Sequence, residues 1–229
     1  FVETSEPRAL DAAELPGIVD DFRRAAKAAI EVAGFDGVEI HGANGYLLDQ
    51  FLRDGANRRT DEYGGSVGNR MRFPLAVVDA VVAEIGAHKT GIRISPVTPA
   101  GGLSDTDPAA VFFPFVAELS RRELAYVHVI EGATGGKRDV APFDFRALRR
   151  EFDGPWMANN GYTRDMAIEA IAGGYADLIA FGRPFIANPA LVDRLRVAAP
   201  LASITPETLY GGGYRGYTDY PRRTIAGVA

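Results

Sequence analysis

The chain has 229 residues, 47% hydrophobic and 24% charged, with 25 basic against 30 acidic side chains and a formal net charge of −5. It contains no cysteine, which excludes disulfide scaffolds, cysteine-ligated zinc, iron–sulfur clusters and thiol nucleophiles. The acidic balance, without any run of Lys or Arg, argues against a nucleic-acid partner, and no apolar stretch approaches the ~18–20 residues that cross a bilayer.

In chain order, the start at Phe1-Val2-Glu3-Thr4 has no signal-peptide pattern, so a cytoplasmic protein with no membrane partner is expected. Residues 16–32 read as a helix: Ile18, Phe22, Ala25, Ala29 and Ile30 recur at helical spacing, and Gly34 is a stop. Residues 37–40 are the first of five short apolar runs that read as strands; the others are 91–95, 126–130, 155–158 and 177–181. Further helices are predicted over 73–85, 107–119, 164–172 and 188–197. Asp107-Pro108 and Thr163-Arg164-Asp165 supply capping starts for two of them.

Doubly apolar strands alternating with helices imply βα units and a parallel sheet, either open and doubly wound or closed as a barrel. Polar or glycine-rich clusters follow most strand ends, at His41-Gly42-Ala43-Asn44, Glu131-Gly132-Ala133-Thr134, Asn159-Asn160-Gly161 and Gly182-Arg183. Groups contributed by successive strand ends are the mark of a (β/α)8 barrel's upper face. Only five strands are legible, and no strand precedes the first helix. One domain, 1–229, is expected, as the later part of a barrel belonging to a longer polypeptide. Five strands alone would leave unpaired hydrophobic edges.

Two glycine motifs lack their context. Gly211-Gly212-Gly213-Tyr214-Arg215-Gly216 matches a dinucleotide fingerprint, but no buried strand precedes it. Gly132 to Lys137 is one residue short of a phosphate loop, with Arg138 where a Ser or Thr is needed, and reads as a mobile loop. His41, His88 and His128 are too far apart in sequence to form a metal-binding helix motif, so no metal is expected.

The informative segment runs from Val38 to Phe73. His41 ends a strand, Asn44 follows three residues later and Tyr46 five residues later. A neutral imidazole and a carboxamide on one turn can aim N–H donors at a single substrate oxygen. Such donors stabilise developing negative charge there by ~3–4 kcal/mol each in well-studied cases. A nearby phenol can protonate the adjacent carbon as general acid. Hydride addition to an activated alkene needs these two services from a protein. A histidine at a strand end can equally be a structural hydrogen-bonder. Arg93, in an apolar strand, must meet a ligand or a carboxylate such as Glu39, because an unpaired buried charge is very costly. Arg183 reads as a phosphate ligand, or else as a helix cap or surface ion pair. The polar residues Asn57, Arg59, Asp61, Asn69, Arg70 and Arg72 read as loop braces. His128 reads as structural, facing the helical layer, and Trp156 as core.

The segment 37–73 closely resembles the old yellow enzyme family of FMN-dependent ene-reductases. The likeness returns at Gly91 to Pro96, at Asn160-Gly161-Tyr162-Thr163, from Phe181 to Pro189 and from Gly216 to Pro221. The resemblance implies a (β/α)8 TIM barrel of which this chain carries about strands four to eight. It implies FMN as cofactor, NADPH or NADH as reductant, and an enone or nitro compound as substrate. It makes His41 and Asn44 the pair that binds the substrate oxygen and Tyr46 the proton donor. Arg93 would lie beside the flavin ring. Asn160, Gly161, Gly182 and Arg183 would hold the FMN phosphate, and Tyr210 would overhang the substrate pocket. The family also takes flavin contacts from its first three strands, which this chain lacks, so a chain carrying them is an expected partner. Two rivals stand beside this reading. One is an incomplete, flavin-free barrel that serves as a subunit or binding partner. The other is an isomerase or aldolase using Glu131.

Overall fold

The computed structural model describes residues 5–139, 142–210 and 213–221. Among the described residues, five strands form one sheet: β1 (Val38–Gly42), β2 (Thr90–Ile94), β3 (Tyr126–Ile130), β4 (Trp156–Asn159) and β5 (Leu178–Ala180). Each follows its predecessor in the sheet, in the order β1-β2-β3-β4-β5, and every pairing is parallel. A doubly wound sheet reverses direction at a switch point. This one never reverses, so the βα units wind one way, as the staves of a barrel do.

Helix α1 (Leu15–Glu31) precedes β1; α2 (Leu47–Leu52), α3 (Val67–Ile85), α4 (Pro108–Ser120), α5 (Phe145–Arg149) and α6 (Arg164–Ala172) lie between strands, and α7 (Arg183–Ala187) and α8 (Leu191–Arg196) follow β5. The expected caps are in place: the Asp107 carboxylate accepts from Ala110 N at 3.1 Å, and Thr163 Oγ1 accepts from Met166 N at 3.3 Å. Helix α3 begins at Val67, well before the expected residue 73, because Ser66 Oγ caps Asn69 N. Pro74 would suit a first turn but sits inside the helix. The short helices α2, α5 and α7 show no full amphipathic repeat and are additions to the sequence reading.

One face of the sheet carries Ile40, Ile92, Ile94, Val127, Val129, Trp156 and Ala158, all buried. They belong to one core with Phe73, Val77, Val78 and Val81 of α3 and Val111, Phe112, Phe115 and Val116 of α4. Each such side chain contributes ~1.5–3 kcal/mol on burial, which anchors the helical layer to the strands. Arg122 joins α4 to α3 through Asp79 at 2.6 Å, and Arg23 joins α1 to α3 through Glu84 at 2.5 Å.

The other face is polar. The register aligns His41, Arg93, His128, Met157 and Leu178 in one transverse row. His128 therefore projects away from the helical layer, correcting the sequence expectation. Strand residues alternate faces, and Val127 and Val129 take the helical side. Its Nδ1 meets Glu39 Oε2 at 2.9 Å. Among the described residues, β1 and β5 pair on one side only.

Candidate active site

The loop leaving β1 places the first three candidate groups together. His41 is the next-to-last residue of β1 and half-buried. Asn44 and Gly45 follow in left-handed conformations, with φ of 57° and 78°. At Gly45 a Cβ would come within 2.7 Å of the Ala100 carbonyl oxygen, so only glycine passes there. Tyr46 is the N-cap residue of α2 and is 63% exposed. Its ring lies 5.0 Å from the His41 ring, centroid to centroid, tilted by 54°. Thr134 Oγ1 donates to Asn44 Oδ1 at 2.5 Å, so the NH2 end of that amide is turned away from Thr134. Burial, and then the charge of Arg93, push the His41 pKa below the usual histidine value. At neutral pH the ring is thus an uncharged imidazole with one N–H donor.

A second group of candidates lines an adjoining cavity of about 500 Å³: Arg93, Asn160, Gly161, Gly182 and Arg183. That volume lies in the range of small-molecule sites. Arg93 Nη2 donates to Asn159 Oδ1 at 3.2 Å, while its Nε is buried without a hydrogen-bond partner. Glu39, the alternative partner, is engaged by His128 instead. Burial raises the Glu39 pKa, but the hydrogen bond and charge of His128 outweigh it and leave the carboxyl below its usual value. Arg93 forms no ion pair among the described residues. Gly161, at φ 68°, and Gly182 leave open space where a side chain would project. Arg183 opens α7 and is exposed, with its guanidinium beside Gly135.

Asn160 lines the cavity with the other candidates, and its side chain also braces a loop. Its side chain is buried and fully engaged, donating to the carbonyls of Glu131 and Ala133 (2.9 Å to the latter) and accepting from Gly135 N at 3.2 Å. It braces the loop after β3 and borders the cavity without a free polar end. Gly132 to Lys137 is a loop, as expected, and within it Ala133 N donates to the Lys137 carbonyl at 2.8 Å. Tyr210 is 93% exposed and does not join the cavity-lining set. In the glycine fingerprint, Gly211 and Gly212 lie outside the described residues.

Glu131 is not poised for catalysis. Its carboxylate accepts from Tyr162 Oη at 2.8 Å and also from Tyr175 and Arg138. Burial, then Glu131, hold the Tyr162 pKa up at about 12. The loop braces form as expected: Asn57 Nδ2 donates to the Phe51 and Tyr63 carbonyls at 2.7 Å, Arg70 pairs with Asp105 at 2.8 Å, and Arg72 Nε reaches the Glu62 carbonyl at 2.9 Å. Among the described residues no group of His, Asp or Glu is placed to hold a metal ion. Sequence reasoning assigned no role to Ser95, Asp49 and Thr134, which touch the β1 loop, or to Arg53, which pairs with Asp49 and reaches the Ser95 carbonyl. An acid inside a short apolar helix and an arginine four residues later at its C-cap, Asp49 and Arg53, were the legible signal.

The sequence pattern of the family described as NADH:flavin oxidoreductase / NADH oxidase matches residues 2–201. The chain is 49% identical over 222 residues to 12-oxophytodienoate reductase 1 of Oryza sativa subsp. japonica, covering 95% of this chain and 58% of that protein. Among solved structures it is similar to morphinone reductase in complex with tetrahydroNAD, at TM-score 0.91 and 47% identity, covering 99% of this chain and 61% of that one. It is likewise similar to the old yellow enzyme homologue from Zymomonas mobilis, at TM-score 0.89 and 45% identity, covering 93% and 61%. The chain spans about three fifths of the length of these relatives.

Proposed function

Because the chain belongs to the NADH:flavin oxidoreductase / NADH oxidase family, we propose that it forms the catalytic part of an FMN-dependent ene-reductase. Its substrates are α,β-unsaturated carbonyl or nitro compounds, and its reductant is NADPH or NADH. The observation that carries this reading is the juxtaposition of two half-sites. The proposed oxygen-binding donors are His41, which sits beside Arg93 in the strand register, and Asn44, which touches Thr134 of the cavity wall; Arg93, half-buried, brings an unpartnered N–H to that cavity.

The residues present suit a flavin phosphate ester. The unpartnered Arg93 Nε seeks an acceptor, since a buried donor left alone costs ~1–3 kcal/mol. Gly161, Gly182 and Arg183 border the phosphate end, where glycine backbone and a guanidinium suit a dianion. When bound, FMN supplies the hydride that reaches the β-carbon, having received it from NADPH or NADH. The chain does the rest. His41 and Asn44 donate N–H groups to the substrate's carbonyl or nitro oxygen and draw negative charge onto it. Tyr46, beside them, gives its proton to the α-carbon. The neutral state of His41 matters, because a donor without net charge leaves the rest of the field to Arg93.

The half-exposed polar face and the one-sided edges of β1 and β5 are read as the surface that the remaining strands of a (β/α)8 barrel cover, whether from the same chain or a second one. The chain itself is read as one folding unit.

The test is a titration of FMN into the purified protein with any co-purifying polypeptide retained. The expected result is quenched flavin fluorescence and a bound visible band. NADPH or NADH then bleaches that band anaerobically, and 2-cyclohexenone or a nitroalkene restores it. Failure to bind FMN, or a bleached band that neither acceptor restores, overturns the proposal.

A further inference from the structure

Behind the β1 loop lies a buried polar cluster that touches neither cavity nor solvent. Asp49 is 0% exposed and Arg53 2% exposed, and Arg53 Nε donates to Asp49 Oδ1 at 2.7 Å. The Arg53 guanidinium also reaches the Ser95 carbonyl and lies 5.5 Å from the centre of the Phe112 ring. Ser95 is fully buried and directly follows β2, two residues beyond Arg93. Its hydroxyl donates to Asp49 Oδ2 at 3.3 Å and accepts from Asn44 N at 2.8 Å. The next amide, Gly45 N, donates to the same Asp49 oxygen at 2.9 Å.

The cluster therefore terminates two consecutive inward-pointing N–H groups, those of Asn44 and Gly45. Both residues are left-handed, a conformation that glycine adopts freely and asparagine tolerates better than most residues. A buried ion pair is a weak source of stability compared with apolar side chains of the same volume. Its effect here is geometric: it presents acceptors at fixed positions on the far side of the loop. Thr134 sets the Asn44 amide from the outside, and Ser95 sets its backbone from within. The same serine is covalently continuous with the strand that carries Arg93, so the two half-sites share one rigid reference.

We propose that Ser95, fixed by the buried Asp49–Arg53 pair, is a positioning residue that orients Asn44 toward the substrate oxygen. The inference rests on the oxygen-binding reading of His41 and Asn44, and its consequence is specific. Ser95 acts through Asn44, so removing both costs no more affinity than removing Asn44 alone.

The experiment uses the flavin-loaded protein and 4-nitrophenolate, an aromatic oxyanion whose own absorbance reports binding. Ser95→Ala is expected to raise its dissociation constant about tenfold, the equivalent of one well-placed hydrogen bond. Ser95→Thr, which keeps the hydroxyl, restores affinity, and Ser95→Ala/Asn44→Ala binds no worse than Asn44→Ala. Thermal midpoints of all variants separate loss of fold from loss of geometry. If Asn44→Ala weakens binding while Ser95→Ala changes it less than twofold, or if the two effects multiply, the brace is refuted and the oxygen-binding pair stands. If Asn44→Ala itself leaves affinity unchanged, the oxygen-binding reading falls and the brace falls with it.

Discussion

Replacing Tyr46 by Phe removes one oxygen atom from a side chain that is 63% exposed and caps α2 without a side-chain hydrogen bond. No buried partner is orphaned and no cavity opens, so the fold changes by less than about 0.5 kcal/mol. The ring itself keeps its tilted contact with His41, 5.0 Å between centroids, and the pocket wall is preserved. What disappears is the proton. A positioned general acid contributes ~10²–10⁴ in rate, or roughly 3–5 kcal/mol of barrier. The two halves of the cycle therefore separate. Reduction of the flavin by NADPH needs no proton from Tyr46, and Tyr46→Phe should leave it within a few-fold. Reoxidation by an enone should slow by ~10² or more. Rapid mixing resolves both, the first as bleaching and the second as return of the visible flavin band. A parallel experiment with an acceptor needing no carbon protonation, such as a quinone, should show no loss. Equal losses in both half-reactions, or an unaltered enone rate, would refute the assignment of the proton to this phenol.

The His41 ring should titrate below the ordinary histidine value, because burial and Arg93 both disfavour its charged form. The sign follows for stability. As pH falls below ~6.5 the unfolded chain takes up a proton that the folded imidazole resists, so this residue withdraws stability until the folded value is passed. Proton NMR of the ring checks it, and a midpoint at or above the ordinary value contradicts it. Glu131→Ala strands the phenols of Tyr162 and Tyr175 and the guanidinium of Arg138, and should cost about 3 kcal/mol, read as a lower urea midpoint at constant slope. Glu131→Gln, which keeps an acceptor, should cost less and lower the Tyr162 titration from about 12, visible as tyrosinate absorbance.

The alternation of apolar strands with amphipathic helices made the five strands legible to within two residues at their ends, since each strand must present apolar residues to the helical layer. The spacing of His41, Asn44 and Tyr46 at one strand exit was legible in the sequence, and the register of β1 against β2 sets His41 beside Arg93. Caps such as Asp107 and Thr163 were readable because their partners are three residues away. Three things were not readable. The side of the sheet that His128 faces depends on the pleat of a neighbouring strand. The engagement of Asn160 depends on Gly135, 25 residues earlier. The brace on Asn44 depends on Ser95, 51 residues later. Residue type, spacing and local capping are properties of the chain, and they decided which groups exist and on which strand ends they sit. Which of those groups keeps a free hydrogen-bonding end, and which is consumed in holding a loop, is decided by partners distant in sequence. Buried polar atoms must be satisfied wherever packing brings them, and only the tertiary structure specifies that place.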